Sequence, residues 1–288
     1  MTARCVADVK NALGESCFWE DRSRSLFWTD IDGKTLYRLG ADGVTAAWPL
    51  PERCAFFFPR ERGGFVLGFE KRIAVADESF SRLETLMPVE ESLPGTRLND
   101  AAVDPFGGLV FGTMNERDSE PVAGLYRLSP AGALQKLAGG IVISNGIAFS
   151  PDGRILYFTD TPVGSIRRFA LHGECSRLEE MEPLAPLGIA PGKPDGAAVD
   201  SEGGYWNARV WGGRVTRISP DGRAAETIEL PVMAPTCVCF GGDDLRTLYI
   251  TSLRKRHDRD MLARSPLAGG VFAVEVNTPG IAQRRCAL

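Results

Sequence analysis

Leu26-Phe27-Trp28-Thr29-Asp30 (LFWTD) returns almost unchanged as LYFTD at 156–160, and that return decides the fold. Related apolar runs stand at GFVLGF around Phe65, LVFGTM from Leu109, YWNARV from Tyr205 and LYITS from Leu248. Counted from Leu26, the starts lie 39, 44, 47, 49 and 43 residues apart. Most are followed by another β-rich run: KTLYRL at 34–39, GLYRLSP at 124–130, SIRRFAL at 165–171, GRVTRISPDG at 213–222 and GGVFAVEV at 269–276. Asp-Gly, Pro-Asp-Gly and Gly-Gly pairs between these runs supply hairpin turns, because such residues tolerate positive φ. A unit of about four short strands every ~45 residues is the period of a propeller blade. Six units use nearly the whole chain, so the expected fold is all-β: a six-bladed β-propeller with a central metal site, forming a single domain over residues 1–288. Strands of a sandwich would recur at shorter intervals and not as whole hairpin units. The best helical stretch, 258–264, is too short to compete.

Roughly ten to twelve residues before each of those runs lies another, expected to be the innermost strand of its blade. In register they read ESCFWED from Glu15, CAFFFPRE from Cys54, NDAAVDPFG from Asn99, NGIAFSPDG from Asn145, DGAAVDSEG from Asp195 and TCVCFGGDD from Thr236. Their interiors are apolar, as packing between blades requires, but four open on Glu15, Asn99, Asn145 and Asp195. Pseudo-rotational symmetry brings equivalent positions to the channel axis. Taken singly, Asn and Asp at such places serve turns and strand ends. In register, two carboxylates and two amides form a hard oxygen donor set whose charge matches one divalent cation. Ca²⁺ is the first expectation, with Zn²⁺, Mn²⁺, Mg²⁺ or Fe²⁺ as alternatives. Uncompensated carboxylates in a narrow channel would be costly.

Composition narrows the classes of function. The 33 basic and 37 acidic residues give a formal charge of −4 without long single-sign runs, which leaves no footprint for nucleic acid or an anionic membrane. The N-terminal stretch lacks the apolar run of a signal peptide, and no segment is long enough to cross a bilayer. Seven cysteines at scattered spacing suit reduced thiols, so the expected location is the cytoplasm. Cys237 and Cys239 alternate within an apolar strand and read as packing residues.

Only two histidines occur, His172 in LHGE and His257 in RKRHDRD, both in loop-like contexts. No nucleophile elbow, phosphate-binding glycine loop or dinucleotide fingerprint stands in a strand-to-helix setting. What remains is a metal acting as Lewis acid on a carbonyl, with a carboxylate to accept a proton from water. Such machinery suits an ester or lactone. Arg97, two residues before Asn99, lies on the same side of an extended segment and can reach the channel mouth, although a surface role is equally open. The stretch WNARVWGGR at 206–214 offers either a surface for a sugar ring or blade packing.

With these motifs quoted, the chain resembles the regucalcin/senescence marker protein/gluconolactonase family of sugar lactone lactonases along nearly its full length. The resemblance rests on LGESCFW at 13–19, RLNDAAVDPFGGLVFGTM at 97–114, SNGIAFSPDGRILYFTDT at 144–161, PDGAAVDSEGGYWNA at 194–208 and SPLAGGVFAV at 265–274. It implies the same propeller, with Glu15, Asn145 and Asp195 as metal ligands and Asp195 also as the catalytic base. It further implies Arg97 and Asn99 as substrate-binding residues, and Asp100 as a support for their loop. The implied reaction is metal-dependent hydrolysis of an aldonolactone to the sugar acid, in a bacterial-type sugar oxidation pathway. The implied partner is thus a small sugar lactone. A non-catalytic calcium- or ligand-binding propeller, or an aryl-ester or organophosphate hydrolase of similar architecture, is the alternative. Two positions depart from the family pattern: Cys17 replaces a proline, and Glu116-Arg117-Asp118 sets Arg117 where some members carry a substrate-binding acid.

Overall fold

Alternating apolar runs separated by turn residues become 24 short strands and one short helix in the computed structural model, which describes residues 2–288. In chain order, β1 (Arg4–Ala7) comes first. The first blade follows with β2 (Gly14–Glu20), β3 (Ser25–Asp30), β4 (Thr35–Leu39) and β5 (Thr45–Pro49). The second holds β6 (Cys54–Pro59), β7 (Phe65–Phe69), β8 (Arg72–Ala76) and β9 (Leu83–Pro88). The third holds β10 (Thr96–Val103), β11 (Leu109–Asn115), β12 (Ala123–Leu128) and β13 (Leu134–Ile141). The fourth holds β14 (Ser144–Phe149), β15 (Ile155–Asp160), β16 (Ile166–His172) and β17 (Arg177–Ala185). The fifth holds β18 (Lys193–Val199), β19 (Tyr205–Val210), β20 (Arg214–Ile218) and β21 (Ala224–Glu229). The last contains β22 (Pro235–Gly241), β23 (Thr247–Ser252), α1 (Arg259–Arg264) and β24 (Val271–Glu275).

Each blade is an antiparallel sheet of four strands, and the six-bladed propeller read from the repeat is the observed architecture. The sixth sheet runs β1-β24-β23-β22, so its outermost strand comes from the N-terminal end of the chain. Arg4 pairs with Ala273 and Cys5 with Phe272, which closes the ring through backbone hydrogen bonds between its two ends. Closure removes the open edge that β24 would otherwise present to other chains.

Burial follows position within the blade. Strands β6, β7, β11, β14, β19 and β22 are buried at every residue, whereas the outer strands β9, β13 and β21 are mostly exposed. Strands sandwiched between neighbouring blades have no solvent face, and that is why they read as continuous apolar runs. Gly68 shows the tightness: a Cβ there would stand 2.2 Å from Phe56 Cζ, so the glycine is what lets the aromatic ring cross the strand.

The recurring Thr-Asp pair has a mechanical role. Asp30 Oδ1 accepts from Leu13 N at 2.9 Å and its Oδ2 from Ala12 N at 2.8 Å. Asp160 does the same for Ile143 N at 2.9 Å and Val142 N at 3.0 Å. In both blades the carboxylate at the end of the second strand ties down the segment leading into the first strand, two residues before Glu15 and Asn145.

Several local expectations change. Glycine turns are not confined to the join between second and third strands; Gly107, Gly153 and Gly203, all at positive φ, join first to second, and Gly43, Gly132 and Gly222 join third to fourth. Residues 259–264 do form a helical turn, because Asp258 Oδ1 caps it through Met261 N at 2.8 Å, and none of its side chains is buried. His172 ends a strand and contacts Glu179 at 2.9 Å, and half-buried His257 packs on Trp211 with ring centroids 5.1 Å apart. Neither histidine is a free loop residue. Among the described residues no helix is long and apolar enough to cross a membrane.

Candidate metal and substrate site

All six inner strands slip register against their neighbours, and five slip at the same place: Glu15/Phe18, Leu98/Ala101, Asn145/Ala148, Pro194/Ala197 and Pro235/Val238. The slip frees Asn99 and Asp195 from the ladder and re-aims their side chains, whereas Glu15 and Asn145 are the last paired residues before it, opposite Thr29 and Thr159. None of the four sequence-predicted residues opens its strand; Glu15 and Asn145 stand second in β2 and β14. Asn99 is the fourth residue of β10 and Asp195 the third of β18. Gly146 illustrates the demand on the bulge, with φ of 63° and room for a Cβ only 2.2 Å from the Tyr205 hydroxyl. That hydroxyl donates to Gly146 O at 2.8 Å and locks the turn beside Asn145.

Glu15, Asn145, Asp195, Arg97 and Asn99 line one pocket of about 220 Å³ at the mouth of the channel. At roughly 30 Å³ per water that is the bulk of one small ring rather than of a polymer. Its walls also carry Asp32, Met114, Glu116, Thr161, Trp211 and Lys255.

A chain of hydrogen bonds crosses three blades. Arg97 Nη1 donates to Asn99 Oδ1 at 2.8 Å; Asn99 Nδ2 donates to Asn145 Oδ1 at 2.8 Å and to Ser144 O at 2.9 Å. Asn145 Nδ2 then donates to Thr161 Oγ1 at 2.8 Å, and that hydroxyl to Pro194 O at 2.9 Å. A guanidinium only donates and a carbonyl only accepts, so both ends fix the polarity and each amide has one permitted orientation. Asn145 Oδ1 consequently keeps a lone pair for a further partner. Asn99, like Asn145, has each polar end on a protein neighbour and a lone pair left on Oδ1, and it links Arg97 to Asn145.

Arg97 is buried, with only 5 % of its surface exposed, so a surface role is excluded. Its Nε meets Glu116 Oε1 at 3.0 Å and Nη1 also donates to Leu98 O at 2.8 Å. Glu116 in turn receives Arg53 at 2.8 Å. Burial pushes the Glu116 carboxyl up, but Arg53 and Arg97 outweigh it and hold the group down to about 2. Asp100 points below the site, accepting from Ile147 N at 2.9 Å and Ala101 N at 2.8 Å, while burial raises it to about 6.

Glu15 and Asp195 behave differently. Desolvation first, then repulsion from Asp195 on Glu15 and from Asp100 on Asp195, drives both well above the usual carboxylate range. Neither side chain has an ion-pair partner among the described residues, although Gly196 N–H supports Asp195. A buried and a half-buried carboxylate sharing a pocket with an amide oxygen that has a spare lone pair form a donor set that a divalent cation fits. Among the described residues no three His, Cys, Asp or Glu side chains form a cage of their own, so any ion here would depend on the amide oxygen and on non-protein ligands.

Sequence reasoning missed the rim. Arg53, Asp32, Glu116 and Lys255 come from different blades or connections, and charge alone gave no signal for their pairing. Of 206–214, Trp206 is fully buried and donates to Asp200 at 2.8 Å, so its role is blade packing; Val210 and Trp211 line the pocket. Cys17 and Cys237 are buried together beneath the site, and Cys239 is also buried.

Residues 13–254 match the family described as SMP-30/Gluconolactonase/LRE-like region. The chain is 40% identical over 285 residues to the 6-deoxy-6-sulfogluconolactonase of Pseudomonas putida, covering 98% of this chain and 97% of that protein. It is also 40% identical to the L-arabinolactonase of Azospirillum brasilense, covering 99% and 95% respectively. Among solved structures it is similar to the calcium-binding protein regucalcin from Agrobacterium tumefaciens, with TM-score 0.93, 29% identity and coverage of 99% and 97%.

Proposed function

The chain belongs to the SMP-30/gluconolactonase/LRE-like family, and from that premise we propose that it is a metal-dependent lactonase opening a sugar lactone to its acid. The observation that carries the reading is the pair of carboxylates in one pocket, buried Asp195 and half-buried Glu15, both raised well above the usual range, beside an Asn145 oxygen whose orientation is fixed by its neighbours. Those three residues would hold one divalent ion, Ca²⁺ before Zn²⁺, Mn²⁺, Mg²⁺ or Fe²⁺ for an all-oxygen set. When bound, the ion supplies Lewis-acid polarisation of the lactone carbonyl and charge stabilisation as the tetrahedral state forms.

The protein's own groups do the rest. Arg97 keeps Nη2 free of protein hydrogen bonds, and its two N–H groups can orient ring hydroxyls or the ring oxygen. Asn99, which lines the pocket, holds Arg97 and Asn145 in mutual register and offers its remaining Oδ1 lone pair to a substrate hydroxyl. Trp211, left 36 % exposed at φ 63°, offers a flat apolar face to a sugar ring. Asp195 accepts the proton of the attacking water as the carbonyl carbon gains its new C–O bond. The ester C–O bond then breaks, and the proton passes to the departing hydroxyl. A lactone of this kind arises by oxidation of an aldose at its anomeric carbon, which places the reaction in a sugar oxidation sequence.

The test is a panel of aldonolactones presented to metal-stripped protein with each ion added back, read as acid release above spontaneous opening. Acid release that needs the ion and disappears in Asp195→Ala, with the fold retained, supports the reading. Full activity in Asp195→Ala refutes the assigned base. Ion-induced thermal stabilisation with no turnover on any lactone would leave a binding protein instead.

A further inference from the structure

The ion pairs of the pocket do not use all of its cations. Lys255 Nζ meets Asp32 Oδ2 at 2.6 Å, and Arg53 reaches Asp32 at 3.6 Å, Glu70 at 2.8 Å and Glu116 at 2.8 Å. With the Arg97–Glu116 pair at 3.0 Å, three basic side chains face three carboxylates, and that wall is neutral. Glu15 and Asp195 at the floor match the charge of a divalent ion. Lys193 and Arg256 are left over. Both line the pocket and are exposed, and among the described residues neither has a carboxylate within 4.0 Å. Lys193 Nζ makes one long contact, to Pro162 O at 3.2 Å.

Their placement is directional. Lys193 begins β18 of the fifth blade, and Arg256 follows β23 of the sixth, so the two cations flank one sector of the mouth. Trp211 leaves the fifth blade in the same sector, and its tilted ring contact with His257 packs the two rim segments against each other. Arg97 and Glu116 belong to the third blade, across the channel. Arg256 and Trp211 both sit at positive φ, 68° and 63°, a region that bulky side chains adopt only under strain. A neutral sugar lactone would leave both cations of this sector without a charged partner.

We propose that the lactone accepted here carries an anionic group remote from its ester, a carboxylate, sulfonate or phosphate on the terminal carbon, and that Lys193 and Arg256 bind it. This inference rests on the lactonase reading and names its substrate class. Charge-assisted hydrogen bonds from a lysine and an arginine would select such a substrate, and the unpaired field would steer it to the mouth.

The experiment compares kcat/KM for glucono-δ-lactone with its analogues bearing a terminal carboxylate, sulfonate or phosphate, using the full chain with its activating ion. The expected result is a preference of about tenfold or more for an anionic analogue at low salt, shrinking as salt rises. In Lys193→Gln and in Arg256→Gln the ratio of anionic to neutral kcat/KM falls by about tenfold, carried mainly by KM. The three analogues separate the sources of the anion, since planar and tetrahedral groups need not be equally preferred. A wild-type ratio at or below unity, or a ratio that neither substitution moves, overturns the inference while leaving the lactonase reading intact. No acid release from any lactone with any ion overturns that reading and this inference with it.

Discussion

Replacing Thr161 by valine removes one oxygen and almost no volume, and it cuts the hydrogen-bond chain where it passes from the fourth blade to the fifth. The Thr161 hydroxyl receives Asn145 Nδ2 at 2.8 Å and donates to Pro194 O at 2.9 Å, the residue before Asp195. Two hydrogen bonds at roughly 1 kcal/mol each are lost, so the direct cost to folding is about 2 kcal/mol. The larger effect falls on metal binding. With its Nδ2 released, the Asn145 amide is no longer held in the orientation that presents Oδ1. Loss of such outer support weakens metal affinity by ~10–100-fold. At a metal concentration of ~1,000 Kd the wild-type protein gains about 4.1 kcal/mol of stability from the ion. A tenfold weaker variant gains about 2.7 kcal/mol at the same concentration. Calorimetric titration of the stripped protein reads the affinity directly, and denaturant melts with and without ion read the coupling. Thr161→Ser should restore both. If Thr161→Val lost its folding increment yet bound the ion as tightly as wild type, the hydrogen-bond chain would not be what orients Asn145, and the argument for the site would fail.

Three other outcomes follow from the same geometry. In the stripped protein, Glu15 and Asp195 have folded-state pKa values raised above their unfolded values, so the folded chain holds more protons; stability should fall as pH rises from about 4 through the raised values. Saturating ion should abolish that fall, and urea melts across pH with chelator or metal check it; a flat profile in the stripped protein would contradict the burial of the pair. Gly146→Ala should cost about 1–2 kcal/mol for the left-handed backbone alone, plus the collision with the Tyr205 hydroxyl. Adding Tyr205→Phe should recover only the collision, which double-mutant thermal melts measure as a positive coupling. Removing residues 2–8 deletes β1 and exposes the β24 edge, and the expected result is loss of cooperative unfolding with aggregation, seen by light scattering and calorimetry.

The repeat from Leu26 to Leu248 was legible because strand patterning is local and each blade repeats it. The same regularity made Glu15, Asn99, Asn145 and Asp195 stand out, since a polar residue at one register position breaks an otherwise apolar pattern. Asn99 and Asn145 are each bound at both polar ends by protein, contacts invisible in a residue type that can ligate, donate or accept. Arg97 was identified, but its burial and its partner Glu116 were not, because the pairing depends on where the bulge in β10 sets the strand against β11. The rim of Asp32, Arg53, Lys255 and Arg256 carried no sequence signal, as charged loop residues are common and their partners lie up to 223 residues away.

Sequence alone determined the number of blades, the class of the fold and the residue types that meet at the hub, because periodicity and symmetry convert spacing into position. Only the tertiary structure decided that β1 closes the last blade, which way each amide points, and which cations of the mouth remain unpaired. Those outcomes depend on distances of a few ångströms between segments remote in the chain, and hydrogen-bond direction and ion pairing are set at that range.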